Sequence, residues 1–425
     1  MSEETFLSDD FLRQLIGVGD LDLVVGVPSY NDAKTIVSVL RAVEEGVLRN
    51  FRRERVVLLN VDGGSGDGTQ EVLLEASSLA KSNESAFESL RTVRWITTQA
   101  AHNGSPAGML RTILAAADLL HAKACAVIAA SSKNATPAWV VTLLEPICRD
   151  KYDFVAPVYS RHKFDGLLSK NLLYPISRAL YGKPIREMRA SEFAFSGSLA
   201  THCLAQQEWQ GEAFQGGAEM WMAMNAFTNS FRCCQTYLGP KPHQASGANV
   251  VAVVRQTVSG LFSCMESTES LWQAAAENAP LHTVGPDHDF STEAIRIDRN
   301  KFLQMFKAGA NELSGILEKL LAPATHAELM RLAGLDAAEF QFANSLWARV
   351  VYEFAAAYHR SVMNREHLVQ ALVPLYRGRV YSFITKHRSS DAAAVEADLE
   401  ALCQEFANQK PYLVERWNLK EEGSS

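Results

Sequence analysis

The chain has 425 residues, 47% hydrophobic and 21% charged with 14 prolines, the composition of a globular protein and not of a disordered one. Its 41 basic and 48 acidic residues leave a net charge of −7, which argues against the basic face that nucleic-acid binding needs. Met1–Asp10 carries four acidic residues and no basic one, unlike a secretory signal. No stretch approaches the roughly 20 uncharged apolar residues of a membrane span. The seven cysteines lack metal-like spacing and read as reduced thiols, so a cytoplasmic protein is expected.

Leu21–Val27 is apolar apart from Asp22, as in a strand covered on both faces, and Pro28 is expected to close it. Apolar residues at helical spacing follow from Ala33 to Val47, with Asn31 or Asp32 as N-cap. Arg55–Val61 reads as a second buried strand opening into the glycine-rich Asp62–Gly68. The spacing then predicts a helix over Thr69–Ala80, a strand over Val93–Thr97, a helix over Pro106–Leu120 and a strand over Ala124–Ala129. Thr136-Pro137 starts a helix running to about Cys148, and Phe154–Val158 is a fifth strand. Strands separated by helices imply an α/β fold, with a mostly parallel sheet, right-handed crossovers and helices on both faces. From about Arg296 the pattern turns helical, with Phe302, Met305 and Phe306, then Phe342, Leu346, Val350 and Phe354, at helical spacing. Further helices are expected near Arg365–Leu375, Tyr381–Lys386 and Asp391–Asn408, and a linker near Gly285–Asp289. Two domains follow, residues 15–290 and an all-helical 291–415.

Ligands of such sheets bind beyond the carboxyl ends of the strands, so the loops there carry the information. In Pro28-Ser29-Tyr30-Asn31-Asp32 the proline turns the chain outward, and Tyr and Asn suit a planar base or a ribose; a plain strand–helix turn with an Asx cap explains the same residues. Asp62-Gly63-Gly64-Ser65-Gly66-Asp67-Gly68-Thr69 places an acid at the end of a buried strand, where it is costly unless it binds something. Gly63 and Gly68 permit close backbone approach to a ligand. The loop lacks the Lys-Ser/Thr ending of a P-loop, follows the wrong strand for a dinucleotide fingerprint, and has no Glu at the twelfth position of a calcium loop. A flexible turn remains the plain alternative.

Together these two segments resemble the N-terminal signature of nucleotide-sugar glycosyltransferases of the GT-A fold. With Ser132–Trp139, Tyr152–Pro157, Tyr181–Arg186 and Leu238–His243, the chain is similar to the glucosylglycerate and glucosyl-3-phosphoglycerate synthases, and its helical C-terminus to mannosylglycerate synthases. The resemblance spans about residues 20–410. It implies a GT-A-like, Rossmann-like sheet and retaining transfer of a hexosyl unit from a UDP- or GDP-sugar to a small acid such as glycerate or phosphoglycerate. Pro28, Tyr30, Asn31 and Asp32, with Gly63, Gly68 and Ser131, would hold the donor, and Asp62 would accept from the base edge. Glu192 and Glu219 would stand near the reacting sugar, and His243 would complete a site for Mg²⁺ or Mn²⁺. A homodimer is expected, with the helical region as its interface or a lid.

Three departures bear on that reading. The family's Asp-x-Asp reads Ala129-Ala130-Ser131, leaving no carboxylate for a hard divalent ion. The turn His102–Gly108 has no lysine, and Ala190-Ser191 replaces a Gly-Gly pair. The chain is therefore expected to be a transferase that works without metal, using Arg111, Lys133 or Arg189 against the diphosphate; a degenerate relative that binds without turnover, perhaps beside an active partner; or the same fold with changed chemistry.

Overall fold

The computed structural model describes residues 7–82, 93–100, 104–206, 209, 211–242, 250–274, 281–286, 289–293, 295 and 297–419. The chain folds as two compact units: Met1–Tyr159, Arg189–Gly239 and Leu281–Asp287 form one, and Ser160–Met188, Pro240–Pro280 and His288–Ser425 the other. The units interleave along the chain and so do not coincide with segments 15–290 and 291–415. The last passage between them falls within Gly285–Asp289, the stretch expected to be a linker.

In the first unit the strands are β1 (Leu23–Ser29), β2 (Val56–Asp62), β3 (Val93–Gln99), β4 (Ala124–Ile128), β5 (Phe154–His162), β6 (Glu192–Ser196), β7 (Cys233–Pro240) and β8 (Thr283–Val284). Their order is β3-β2-β1-β4-β6-β5-β7-β8. β1 to β4 are mutually parallel, and β6 runs antiparallel to β4 and β5. The expected α/β class with a mostly parallel sheet is thus observed. Helix α1 (Asp9–Val18) precedes β1, and the helices between the first five strands are α2 (Ile36–Asn50), α3 (Thr69–Ser82), α4 (Pro106–Leu119) and α5 (Pro137–Cys148).

Every residue of β2 and β4 is buried, which is why these strands read as unbroken apolar runs. Alternation then sorts the side chains between two faces. Val25, Val27, Leu58, Ala126 and Ile128 pack in one core with Val39 and Val43 of α2 and Val140 and Leu143 of α5. The opposite face meets α4, where a Cβ on Gly26 would stand 2.7 Å from the Ile113 side chain. Full burial of each such aliphatic side chain contributes about 1.5–3 kcal/mol. The helix Ala218–Thr228 buries Met220, Trp221, Met222, Met224 and Phe227, as its apolar run leads one to expect.

Several boundaries differ from the sequence reading. Pro28 does not end β1: the pairing continues through Pro28 and Ser29 opposite Val61 and Asp62, because proline loses only its N–H, and its carbonyl still accepts from Ala130 N–H at 3.0 Å. α2 begins at Ile36 and not at Ala33, since residues 30–35 are held in the loop described below. β6 and β7 escaped the reading; EFAFS and CCQTYLGP mix polar and apolar residues too evenly to stand out.

In the second unit all regular structure described from residue 297 onward is helical, again as expected. Arg365–Leu375 and Tyr381–Lys386 prove to be one helix, Arg365–Lys386, with Pro374 inside it. The helix Arg299–Glu312 passes it closely at Gly309, where a Cβ would lie 2.4 Å from that of Pro374. Phe306 makes edge-on ring contacts with Phe340 and Phe342. Buried Arg379 donates to Asn171 Oδ1 at 2.9 Å and to the Phe342 carbonyl at 3.0 Å. Strand β9 (Phe290–Ser291) pairs with Arg161 and His162. No helix among the described residues is long and apolar enough to cross a membrane.

Candidate functional site

The loops after β1 and β2 are stitched together. Asn31 N–H donates to Ser65 Oγ at 2.9 Å, Asp32 N–H to Thr69 Oγ1 at 2.9 Å, and Ala33 N–H to Asp67 Oδ2 at 3.1 Å. In return Gly66 N–H donates to Asn31 Oδ1 at 2.9 Å, and Gly63 N–H to the Ser29 carbonyl at 2.8 Å. Asn31 sits at φ +57°, a left-handed conformation that asparagine tolerates better than most residues. A third loop closes on this pair: a Cβ on Gly104, whose φ is +61°, would lie 1.9 Å from the Gly63 carbonyl oxygen.

Asp62 is the centre of the stitching. It is fully buried, and its carboxylate accepts from Ser29 Oγ (2.9 Å), Gly64 N–H (3.0 Å), Ser65 N–H (2.8 Å), Ser65 Oγ (2.6 Å) and Gln70 Nε2 (3.1 Å). Burial acts to raise its pKa, but the Ser65, Ser29 and Gly64 donors outweigh burial and hold it below the usual carboxylate range. An acid that is costly at a strand end is here satisfied from within the chain. Asp32 is pushed the other way, above the usual range, first by burial and then by the charges of Asp67 and Asp62, against the Tyr30 N–H bond.

Beside this structure lies a cavity of about 260 Å³, between the carboxyl ends of β1 and β4. From β1 the chain continues to β2 on one side, while β4 pairs on the other, so the cavity occupies the topological switch point of the sheet. Pro28, Ser29, Tyr30 and Asp32 form one wall, Ala129 and Ser131 another, and Ser191, Phe193 and Glu219 a third. Met109, Leu110 and Ile113 of α4 make the apolar base; their helical spacing was visible in the sequence, but it signals core packing as readily as a cavity wall.

Of the two candidate carboxyls only Glu219 lines the cavity. Burial raises its pKa, opposed by the Arg189 charge and reinforced by that of Glu192. Glu192 pairs with Ile128 in register, so strand alternation carries it to the face opposite Phe193. There it is 1% exposed, and accepts from the Ser132 hydroxyl and from Tyr159 OH at 2.5 Å. Neither hydroxyl stands out in the sequence, because only the pairing of β6 with β4 and with β5 brings Ser132 and Tyr159 to that carboxylate.

The remaining candidates scatter. Arg111 lies over the Trp209 ring at 5.1 Å, Lys133 is exposed, and Arg189 is close to Gly217 at the start of the Glu219 helix. Arg186 pairs with Glu396, and Arg161 with Glu187 at 3.0 Å. His243 lies outside the described residues. The segment Ala129–Ser131 offers a divalent ion one hydroxyl and no charge, and no group of three His, Cys, Asp or Glu side chains gathers among the described residues. Among the described residues, the Ala129–Ser131 segment therefore does not fit a Mg²⁺ or Mn²⁺ site of the kind the resemblance implies.

No family model matches the chain, and no curated protein matches it. Among solved structures it is similar to glucosyl-3-phosphoglycerate synthase from Mycobacterium tuberculosis in complex with phosphoglyceric acid, with 16% identity over 61% of this chain and 84% of that one, at a TM-score of 0.43. The same enzyme in complex with UDP gives 16% identity over 62% and 85%, at a TM-score of 0.42. A structure described as a mycobacterial protein gives 16% over 60% and 78%, at 0.43. Overlaps this loose leave the function to be read from the chain's own residues.

Proposed function

We propose that this chain is a glycosyltransferase-like protein of the GT-A type that binds a UDP- or GDP-sugar at the β1–β4 switch point and transfers its hexosyl unit to a small acid of the glycerate or phosphoglycerate kind. The observation that carries the reading is the cavity formed where the Pro28–Asp32 segment meets the ends of β1 and β4, with Glu219 in its wall. The motif resemblance of PSYND and DGGSGDGT supports the donor class. In this reading Tyr30 and Asn31 present the donor face, while Asp62 organises the loop beneath them. No role falls to a metal at Ala129–Ser131, so the departing diphosphate is neutralised by basic side chains, Arg111, Lys133 or Arg189.

A second reading has its own observation in favour. The wall at 129–131 carries no carboxylate, and the base of the cavity is apolar, as suits a protein that binds a nucleotide sugar without turning it over and supports a partner enzyme. Incubation with radiolabelled UDP-glucose or GDP-mannose, plus glycerate or 3-phosphoglycerate, separates the two. A glycosylated acid supports the transferase, and binding without product supports the second reading. Binding of no nucleotide sugar contradicts both. A cytoplasmic homodimer belongs to the same proposal, and sedimentation as a monomer at micromolar concentration overturns the dimer.

A further inference from the structure

The cavity at the switch point is small. Its 260 Å³ falls below the roughly 300–1,000 Å³ of sites that enclose drug-sized ligands, so it takes one ring and not a whole nucleotide sugar. Its charged wall groups, among the described residues, are Asp32 and Glu219, and its hydroxyls come from Ser29, Tyr30, Ser131 and Ser191. Met109, Leu110, Ile113 and Phe193 supply apolar surface for the flat face of a ring. No lysine, arginine or histidine lines it among the described residues. Arg189 acts electrostatically on Glu219, but it is not a wall residue.

From this lining we infer that the cavity selects a glycosyl unit that is neutral or bears an amine and rejects one that bears a carboxylate, an inference that rests on the nucleotide-sugar reading above. Sugar hydroxyls and an ammonium donate to Asp32 and Glu219, and the serine hydroxyls accept or donate as the ring requires. A uronate brings a third carboxyl into a partly desolvated space that already holds two, with no cation among the described wall residues to pair with it.

The test compares pairs that differ by one carboxylate at C6: UDP-glucose against UDP-glucuronate, and GDP-mannose against GDP-mannuronate, titrated calorimetrically into the full chain. The uronate of the pair that binds is expected to be weaker by about tenfold or more. Glu219→Gln and Asp32→Asn, each close to isosteric, are expected to narrow the ratio, Glu219→Gln to below about threefold; near-UV circular dichroism establishes that each variant is folded. Equal affinity for the two members of a pair overturns the inference while leaving the nucleotide-sugar reading in place. A ratio unchanged in both folded variants also overturns it, since the discrimination then arises elsewhere. Binding of none of the four sugars overturns the nucleotide-sugar reading and this inference with it.

Discussion

β2 and β4 flank β1 in one sheet, and their carboxyl ends treat negative charge in opposite ways. At the end of β2, Asp62 is fully buried and receives five hydrogen bonds, which tie its own loop to the end of β1 and the start of α3. At the end of β4, Ala129 and Ser131 line the cavity and bring no charge to it. The acid that the fold needs is in place, whereas Ala129–Ser131 offers no carboxylate to a divalent ion. A carboxylate at a strand end is thus no sign of a ligand until its donors have been traced.

Four variants break or sharpen that contrast. The largest effect is expected from Asp62→Ala, which strands the Ser29 and Ser65 donors and removes all five bonds; urea unfolding should show a loss of about 3 kcal/mol or more. Asp67→Ala, on the exposed side of the same loop, should cost distinctly less, and equal losses would contradict a buried lock. Next, Ala129→Asp combined with Ser131→Asp should create Mn²⁺-dependent stability, about 2.7 kcal/mol at a hundredfold excess over Kd, where the unaltered chain gains none. Gly104→Ala should cost about 1–3 kcal/mol by forcing a side chain onto the Gly63 carbonyl at a positive φ.

The smallest effects are in pH dependence, and the two acids have opposite signs. Asp62 is held below the carboxylate range, so its contribution is present above about pH 4 and is lost as pH falls through its lower native value. The acid limb of the stability curve should therefore flatten in Asp62→Asn. Glu219 is raised, so stability falls as pH climbs from about 4.3 towards its higher native value. Glu219→Gln should stabilise the chain at pH 7 and leave it unchanged near pH 3.5, a difference that urea midpoints at the two values resolve.

Much of this was legible in the sequence. β1, β2 and β4 show because buried parallel strands are continuous apolar runs, and the helical C-terminal region shows in its aromatic spacing. The segments Pro28–Asp32 and Asp62–Thr69 stand out in the sequence, and the fold stitches them together. That Asp62 spends its carboxylate on its own loop was not legible, because Ser29 and Gln70 reach it only through the β1–β2 register and the turn into α3. Glu192 looked like a partner of Glu219 in a linear reading; the pleat of β6 turns it to the other face. Gly104 passed unremarked, since its necessity lies in the Gly63 backbone some forty residues earlier. The break expected between Leu375 and Tyr381 is absent, because Gly309 and Phe306 pack closely against Pro374 and Gly378 of a single helix that runs through both.

The central claim is that a nucleotide sugar binds at the β1–β4 switch point without a divalent ion. Calorimetric titration of UDP-glucose and GDP-mannose, with and without Mn²⁺, tests it most directly. The account predicts binding of one of them with a Kd that Mn²⁺ changes by less than about twofold; tightening by about tenfold or more, equivalent to some 1.4 kcal/mol, would contradict it.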